Sequence, residues 1–341
     1  MNIRHIAEKA GVSVATVSRV LNHPEHVAPA TKAKIESIMA ETEYIPNWFA
    51  RGLNFNKTAT IGLVIPNILN PENMEIIKGA EDVAHQKDYT SLLCNVENDV
   101  NKEKKYIDNL IKRRVDGILL ISSLLSEKDI TAILDQGIPV VHVGEVLWKK
   151  SVSSVSIDSK EAAYNATRHL LETGATQIGI LYGTTPAVEN SRKIKGYEKA
   201  LKEEKISLKK EYEIQVENTI EGGYLGARKF MDLPIPPKAI FATSDLLAFG
   251  VMDAMNDNNI SIPKQVALIG FGNIRMSNLV EPKLTTVEKP LHKMGVVGAR
   301  LLFDLIEDKS EQPEDVKNIQ FQSKLKIRKS CGHKERIGEM F

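Results

Sequence analysis

The residues best suited to specific chemistry lie near the start of the chain, in the run GVSVATVSRVLN from Gly11 to Asn22. If Val17, Val20 and Leu21 turn inward on a helix, Ala15, Thr16, Ser18 and Arg19 turn outward. That outward row combines small and hydrogen-bonding side chains with one guanidinium, a face suited to base edges in a DNA major groove. Short elements would hold it there. Ile3, Ile6, Ala7 and Ala10 recur at helical spacing before it, Gly11 suits a turn of positive φ, and Ser13 suits the N-cap of a second helix beginning at Val14. A third helix is expected from near Pro29 through Ile35, Ile38 and Met39, closing a three-helix core before Tyr44-Ile45-Pro46-Asn47. Pattern alone also fits helical modules that never meet nucleic acid.

The 341 residues suffice for two or three domains. A formal charge of +1, with 42% hydrophobic and 26% charged residues, is that of an ordinary globular protein and announces no nucleic-acid partner by bulk charge. Residues 1–57 hold seven basic and five acidic side chains, so the small excess sits at the front. The apolar runs, such as 61–65 and 117–121, are too short to span a membrane, and the N-terminus has no secretory pattern. A cytoplasmic protein without membrane partner is expected. Cys94 and Cys331 lie far apart without ligand spacing, which argues against a disulfide framework or structural zinc; Cys331-Gly332-His333 reads as a solvated tail.

Beyond residues 54–58, strand-like runs at 61–65, 90–94, 117–121, 138–143 and 178–182 alternate with helical stretches, the pattern of parallel sheets. An offset of 117 residues pairs Ile61-Gly62 with Ile178-Gly179, Lys78-Gly79 with Lys195-Gly196, and Glu81 with Glu198. Such a repeat means two similar lobes, and ligands of open α/β sheets bind at the carboxyl ends of the strands, here in the cleft between lobes. The glycines at 222, 223 and 226 do not form GxGxxG, and no phosphate loop, HExxH helix or GxSxG elbow occurs. No enzyme and no cofactor are expected.

The run from Gly11 to Asn22, followed by YIPNWFARGLNFNKTATIGLVIP over 44–66, strongly resembles the LacI/GalR family of bacterial transcription regulators, and the resemblance spans nearly the whole chain. It implies an N-terminal three-helix helix-turn-helix domain with a hinge helix, joined to an α/β bilobal periplasmic-binding-protein-like body of two doubly wound parallel sheets. Residues 1–57 would form the DNA-binding domain, with the hinge helix at about 47–53. Residues 58–330 would form the effector-binding and dimerisation body: lobe one at about 59–158 and 287–318, lobe two at about 159–286 and 319–330, then a tail at 331–341. By position, Val14, Ala15 and Arg19 would face bases, while Thr16, Ser18, Asn22 and Tyr44 would contact phosphates. Asn47 would begin the hinge, Ala50 would sit beside Leu53, and Leu53 would wedge into a base step of the minor groove. Trp48, Phe49 and Leu53 read otherwise as interdomain packing.

In the cleft the resemblance implies effector contacts from Glu72, Asn73, Lys193, Arg192, Asn218, Asp245 and Asn273. Several depart from the family's sugar-binding pattern. Glu72 and Asn73 follow Asn70-Pro71 where aromatic residues are common, Asn218 stands at a second aromatic position, and Gly272 replaces the aspartate of a GFD motif. Lys193, with Arg192 beside it, keeps positive charge. A polar or anionic small-molecule effector is therefore expected, rather than a neutral sugar. The runs KIKGYEKAL and NLVEPKLTTVEKP, and the helix to Arg300, also resemble the family's catabolite-control members, which implies a phosphorylated phosphocarrier protein as an alternative corepressor; His292 and Lys293 depart from their pattern. The implied assembly is a homodimer repressing at a palindromic operator. A free-standing solute-binding protein is the remaining alternative.

Overall fold

The computed structural model describes residues 2–42, 44, 57–145, 151–184, 187–308 and 316–332, and within these not the side chain of Asn22. Asn47, Ala50, Leu53, most of the expected linker and His333 lie outside the described residues. The chain divides into two compact units, residues 1–59 and 60–341.

In the first unit, α1 (Ile3–Ala10) begins at Asn2, whose Oδ1 accepts the His5 N–H at 3.1 Å. It ends at Gly11, where φ is +68°, and the Val12 N–H returns to the Ala7 carbonyl at 3.0 Å. Helix α2 (Val14–Asn22) starts from the Ser13 cap, whose Oγ accepts the Thr16 N–H at 3.1 Å. After a short 3₁₀ turn, Pro29 at the first turn of α3 (Pro29–Glu41) leaves no amide unpaired where the helix cannot pair it. Ile6, Val17 and Ile35 are fully buried where the three helices meet, with Ala7, Ala10 and Val20 around them. Each large apolar side chain so buried stabilises the unit by about 1.5–3 kcal/mol.

The second unit contains two sheets. One carries β1 (Thr60–Ile65), β2 (Thr90–Asn95), β3 (Gly117–Ile121), β4 (Val140–Val143), β5 (Ser153–Ile157) and β11 (Asn318–Phe321), in the order β11-β5-β4-β3-β1-β2 and parallel throughout. The other carries β6 (Ile178–Gly183), β7 (Glu213–Val216), β8 (Ala239–Ala242), β9 (Ala267–Gly272), β10 (Thr285–Glu288) and β12 (Lys324–Lys326), in the order β12-β10-β9-β8-β6-β7. Only the β10–β12 pair there is antiparallel. Both sheets reverse direction of winding beside their first strand, the place where doubly wound sheets open a crevice. The near-continuous burial of β1, β3 and β9 explains their unbroken apolar sequences, since helices cover both faces.

Lobe one is covered by α4 (Pro71–Gln86), α5 (Val100–Lys112), α6 (Glu127–Leu134) and α11 (Leu291–Glu307); lobe two by α7 (Ser159–Glu172), α8 (Ala187–Glu203), α9 (Ile220–Met231) and α10 (Asp245–Asp257). The repeated glycines mark the closest helix pairings. A Cβ at Gly79 on α4 would come within 2.1 Å of the His292 carbonyl on α11, and one at Gly196 on α8 within 2.2 Å of the Lys160 carbonyl on α7.

Strand pairing sharpens two of the approximate lobe bounds, and one reading is corrected. Strand β10 keeps the chain in lobe two to Glu288, so the return to lobe one falls after it rather than at 287. Strand β11 pairs with β5 through Phe321, so lobe one extends past the expected 318. Cys331 belongs to the body rather than to a solvated tail: it is buried, and its sulfur accepts from Thr285 Oγ1 at 3.2 Å and lies 3.3 Å from His169 Nε2.

Candidate functional site

Within the first unit, α2 presents Val14, Ala15 and Arg19 as exposed and holds Thr16 and Ser18 half-buried, while Val17 and Val20 face the core. Val14 is 40% exposed, so its side chain is open to a partner. The Thr16 hydroxyl is 2.9 Å from Ser13 Oγ, so it also reinforces the cap. Tyr44 is half-buried against the helical core, and its N–H donates to Met39 O at 3.0 Å.

The second unit contains a cavity of about 370 Å³ between the two lobes. Strand ends build it: Pro66 and Asn67 follow β1, Ser122 follows β3, and Thr243 and Ser244 follow β8. Helix starts complete the wall, because each needs a side-chain acceptor at its N-cap. Asn70 accepts the Glu72 N–H at 3.0 Å, Thr219 the Gly222 N–H at 2.9 Å, and Ser244 the Leu247 N–H at 3.2 Å. Among the described residues no aromatic side chain lines the cavity, as the loss of both stacking positions implies.

Of the residues expected here, Glu72, Asn73, Lys193 and Asn218 line the cavity. Asn73 donates from Nδ2 to Asn67 O at 2.7 Å, and Asn218 accepts from the Ser244 hydroxyl. The other three are corrected. Asp245 is buried behind the wall, where its oxygens accept from Ile274 N, Ser277 Oγ and Thr286 Oγ1 at 2.9, 2.6 and 2.5 Å and so brace the loop after β9. Burial pushes its pKa up against those three donors. Asn273 is held between Glu288, to which Nδ2 donates at 3.0 Å, and Arg328, whose Nη2 donates to Oδ1 at 2.6 Å. Arg192 stands outside the lining, paired through Nε with Glu145 at 2.8 Å.

Glu145, Glu189, Asn190 and Lys289, for which no sequence motif suggests a role, also line the cavity. Lys289 follows β10 on the crossover to α11, and its ammonium is 2.5 Å from Glu72 Oε2 and 3.7 Å from Glu189 Oε1. Lys193 is 2.8 Å from the same Glu189 oxygen and donates to Thr243 O at 2.9 Å. Both ammoniums lie over the buried Phe271 ring, at 4.0 Å for Lys193 and 5.4 Å for Lys289. Burial opposes the charge on Glu189, but Lys193 and Lys289 outweigh it and hold the carboxyl down at about 2. Burial likewise opposes the charge on Lys289, yet Glu72 and Glu189 raise its pKa above the ordinary lysine value, so it remains an ammonium. Burial pushes Glu72 and Glu145 up, against Lys289 for the first and the Ser159 N–H for the second. Positive charge is retained at Lys193, and among the described residues both lining lysines, Lys193 and Lys289, are paired with carboxylates. The repeat carried a signal for two of the four, since the 117-residue offset that pairs Gly79 with Gly196 also pairs Glu72-Asn73 with Glu189-Asn190; nothing in the repeat points to Glu145 or Lys289.

A helical reader and a two-lobed solute-binding body in one chain define a ligand-responsive DNA-binding protein. The family model "Bacterial regulatory proteins, lacI family" matches residues 2–47, and "Periplasmic binding proteins and sugar binding domain of LacI family" matches 58–329. Catabolite control protein A of Priestia megaterium is 32% identical over 97% of this chain and 99% of its own length. The HTH-type transcriptional repressor PurR of Yersinia enterocolitica is 32% identical over 92% of this chain and 93% of its own. A solved lac repressor dimer bound to operator and an anti-inducer is 24% identical, covers 97% of this chain and 99% of its own, and shares the fold with a TM-score of 0.85. The chain belongs to the LacI family of DNA-binding transcriptional regulators, with an effector-binding body.

Proposed function

We propose that the chain is a homodimeric cytoplasmic repressor that reads an approximately palindromic operator and is controlled by a small polar solute between the lobes. The observation that carries the reading is the α2 face, where Val14, Ala15 and Arg19 are exposed on a helix whose other side is locked by Val17 and Val20. One such helix reads a half-site, so two copies are needed for a full one. Residues 1–57 act as reader and 58–330 as sensor, and the hinge segment 47–53 transmits lobe movement to the reader, with Leu53 as its minor-groove wedge. The name of the PurR relative supports repression as the outcome.

The lining favours a polar effector over an anionic one. Asn67, Asn70, Asn73, Asn98, Asn190 and Asn218 line the cavity, and although most of these amides already make one or two bonds within the protein, each carries two N–H donors and two acceptor sites and so keeps capacity for a neutral polar group. An anion would have to draw Lys193 or Lys289 off a buried carboxylate, and breaking such a pair costs about 3–5 kcal/mol. Operator affinity measured while polyols, amines and sugar phosphates are titrated tests this: a solute without net negative charge should shift affinity about 5- to 150-fold. Regulation by a sugar phosphate alone would contradict it. The second reading, a phosphorylated phosphocarrier protein docking on α11, has less support from the surface. Arg300 is exposed there, but His292 is 2.9 Å from Asp82 and the Lys293 ammonium lies over the Phe321 ring.

A further inference from the structure

Two departures from the family pattern, Glu72 and Gly272, meet in space. A Cβ on Gly272 would stand 2.2 Å from Glu72 Oε1, and Gly272 has φ of +138°, a conformation other residues rarely adopt. The carboxylate of Glu72, carried by lobe one, therefore fills the space that a side chain at 272 in lobe two would need. Its repeat mate Glu189 begins α8 in lobe two, so each lobe sends one glutamate to the same point. Between the two lies the Lys289 ammonium, 2.5 Å from Glu72 and 3.7 Å from Glu189, with the Phe271 face 5.4 Å away; Lys193 holds the other side of Glu189 at 2.8 Å and lies over the same ring at 4.0 Å. Two carboxylates and an aromatic face are the groups that recognise an organic ammonium.

We propose that Glu72, Glu189 and Phe271 form an ammonium seat between the lobes, filled by the chain's own Lys289, for which a solute bearing a primary ammonium group competes. The seat explains why a lysine stands on the crossover itself. A cation fixed at that point joins carboxylates from both lobes without a ligand, and it leaves the remaining cavity, lined by Asn73, Asn190 and Asn218, to the rest of a small amine. The lysine arm is a tether, so a free amine placed beside it would take its partners and release the crossover. As a statement about the effector this rests on the cleft being the regulatory site; as a statement about the seat it does not.

Lys289→Ala deletes everything beyond Cβ, and the deleted fragment is propylammonium. The melting temperature of the full chain should fall by about 5–15 °C on substitution. Propylammonium chloride at tens of millimolar should restore most of that loss, and sodium chloride or tetramethylammonium chloride at equal ionic strength should not. Adding Glu72→Gln to Lys289→Ala should abolish the rescue. No fall in melting temperature, no rescue, or equal rescue by all three salts overturns the seat. If Lys289→Ala is recovered only unfolded, the yield of refolding in the same three salts decides in the same way. Operator binding is read on the same samples: rescue without DNA binding by the native chain removes the repressor reading and keeps the seat, while DNA binding without rescue does the reverse.

Discussion

Arg19 concentrates the recognition claim in one side chain. It is exposed on α2 and is the single guanidinium of that face. If it pairs bidentately with a base, Arg19→Ala should weaken operator binding by about 1–3 kcal/mol and relax preference at one position of each half-site. An equal loss on all sequences, seen by comparing operator with scrambled DNA, would make it a phosphate contact. A second residue, His142 on β4, reports on the body. Burial lowers its pKa from 6.5 to about 3, and Nε2 accepts the Ser123 N–H at 3.1 Å. Between those two pH values the unfolded chain binds a proton that the fold refuses, so the contribution of His142 to stability is full above 6.5 and falls as pH drops. His142→Gln, which retains an acceptor, should flatten the acid limb of denaturant-measured stability by up to about 1.4 kcal/mol per pH unit. An unchanged slope would show that the imidazole is protonated in the fold. Neither the burial of His142 nor the pairing of Arg192 with Glu145 was legible in the sequence, because both depend on which strand ends and helix starts meet across a distance of many residues.

At the scale of elements much could be read directly. The Ser13 cap, the Gly11 turn and the inward Val17 and Val20 are local choices, each favoured by its immediate neighbours, and the structure places them as expected. Strands such as 117–121 were legible because burial on both faces removes every polar residue. What failed was tertiary. Cys331 looked like tail because nothing in its neighbours shows that Thr285 and His169 wait for it. Lys289, between Glu288 and Pro290, has no local feature that marks it as a cleft residue; two glutamates from separate lobes enclose it only in the folded chain. The repeated glycines were legible as a pattern, and the structure supplies their reason in the pairs α4–α11 and α7–α8. Gly196→Ala would place a methyl against backbone that cannot turn aside, so the helices must part. The expected loss is about 1–3 kcal/mol, exceeding the roughly 1 kcal/mol that alanine gains in a helix, and a thermal melt checks it. A melt raised by the substitution would mean that α7 and α8 are not tightly packed at Lys160.

For the whole molecule, the near-neutral charge takes on a different meaning once the chain is divided. A modestly basic front of 57 residues and a nearly balanced body leave little bulk attraction for DNA, so affinity must come from placement and from two copies acting together. The body carries most of its charges on the surface, and in the cleft Glu72, Glu189, Lys193 and Lys289 compensate one another. Selection of bound duplexes from a random pool by the purified full chain tests the central claim most directly. A dimeric reader should enrich one approximately palindromic site, with half-sites about one helical turn apart, and Arg19→Ala should lose one specified position per half-site. Enrichment of no sequence, or of a site without internal symmetry, would contradict it.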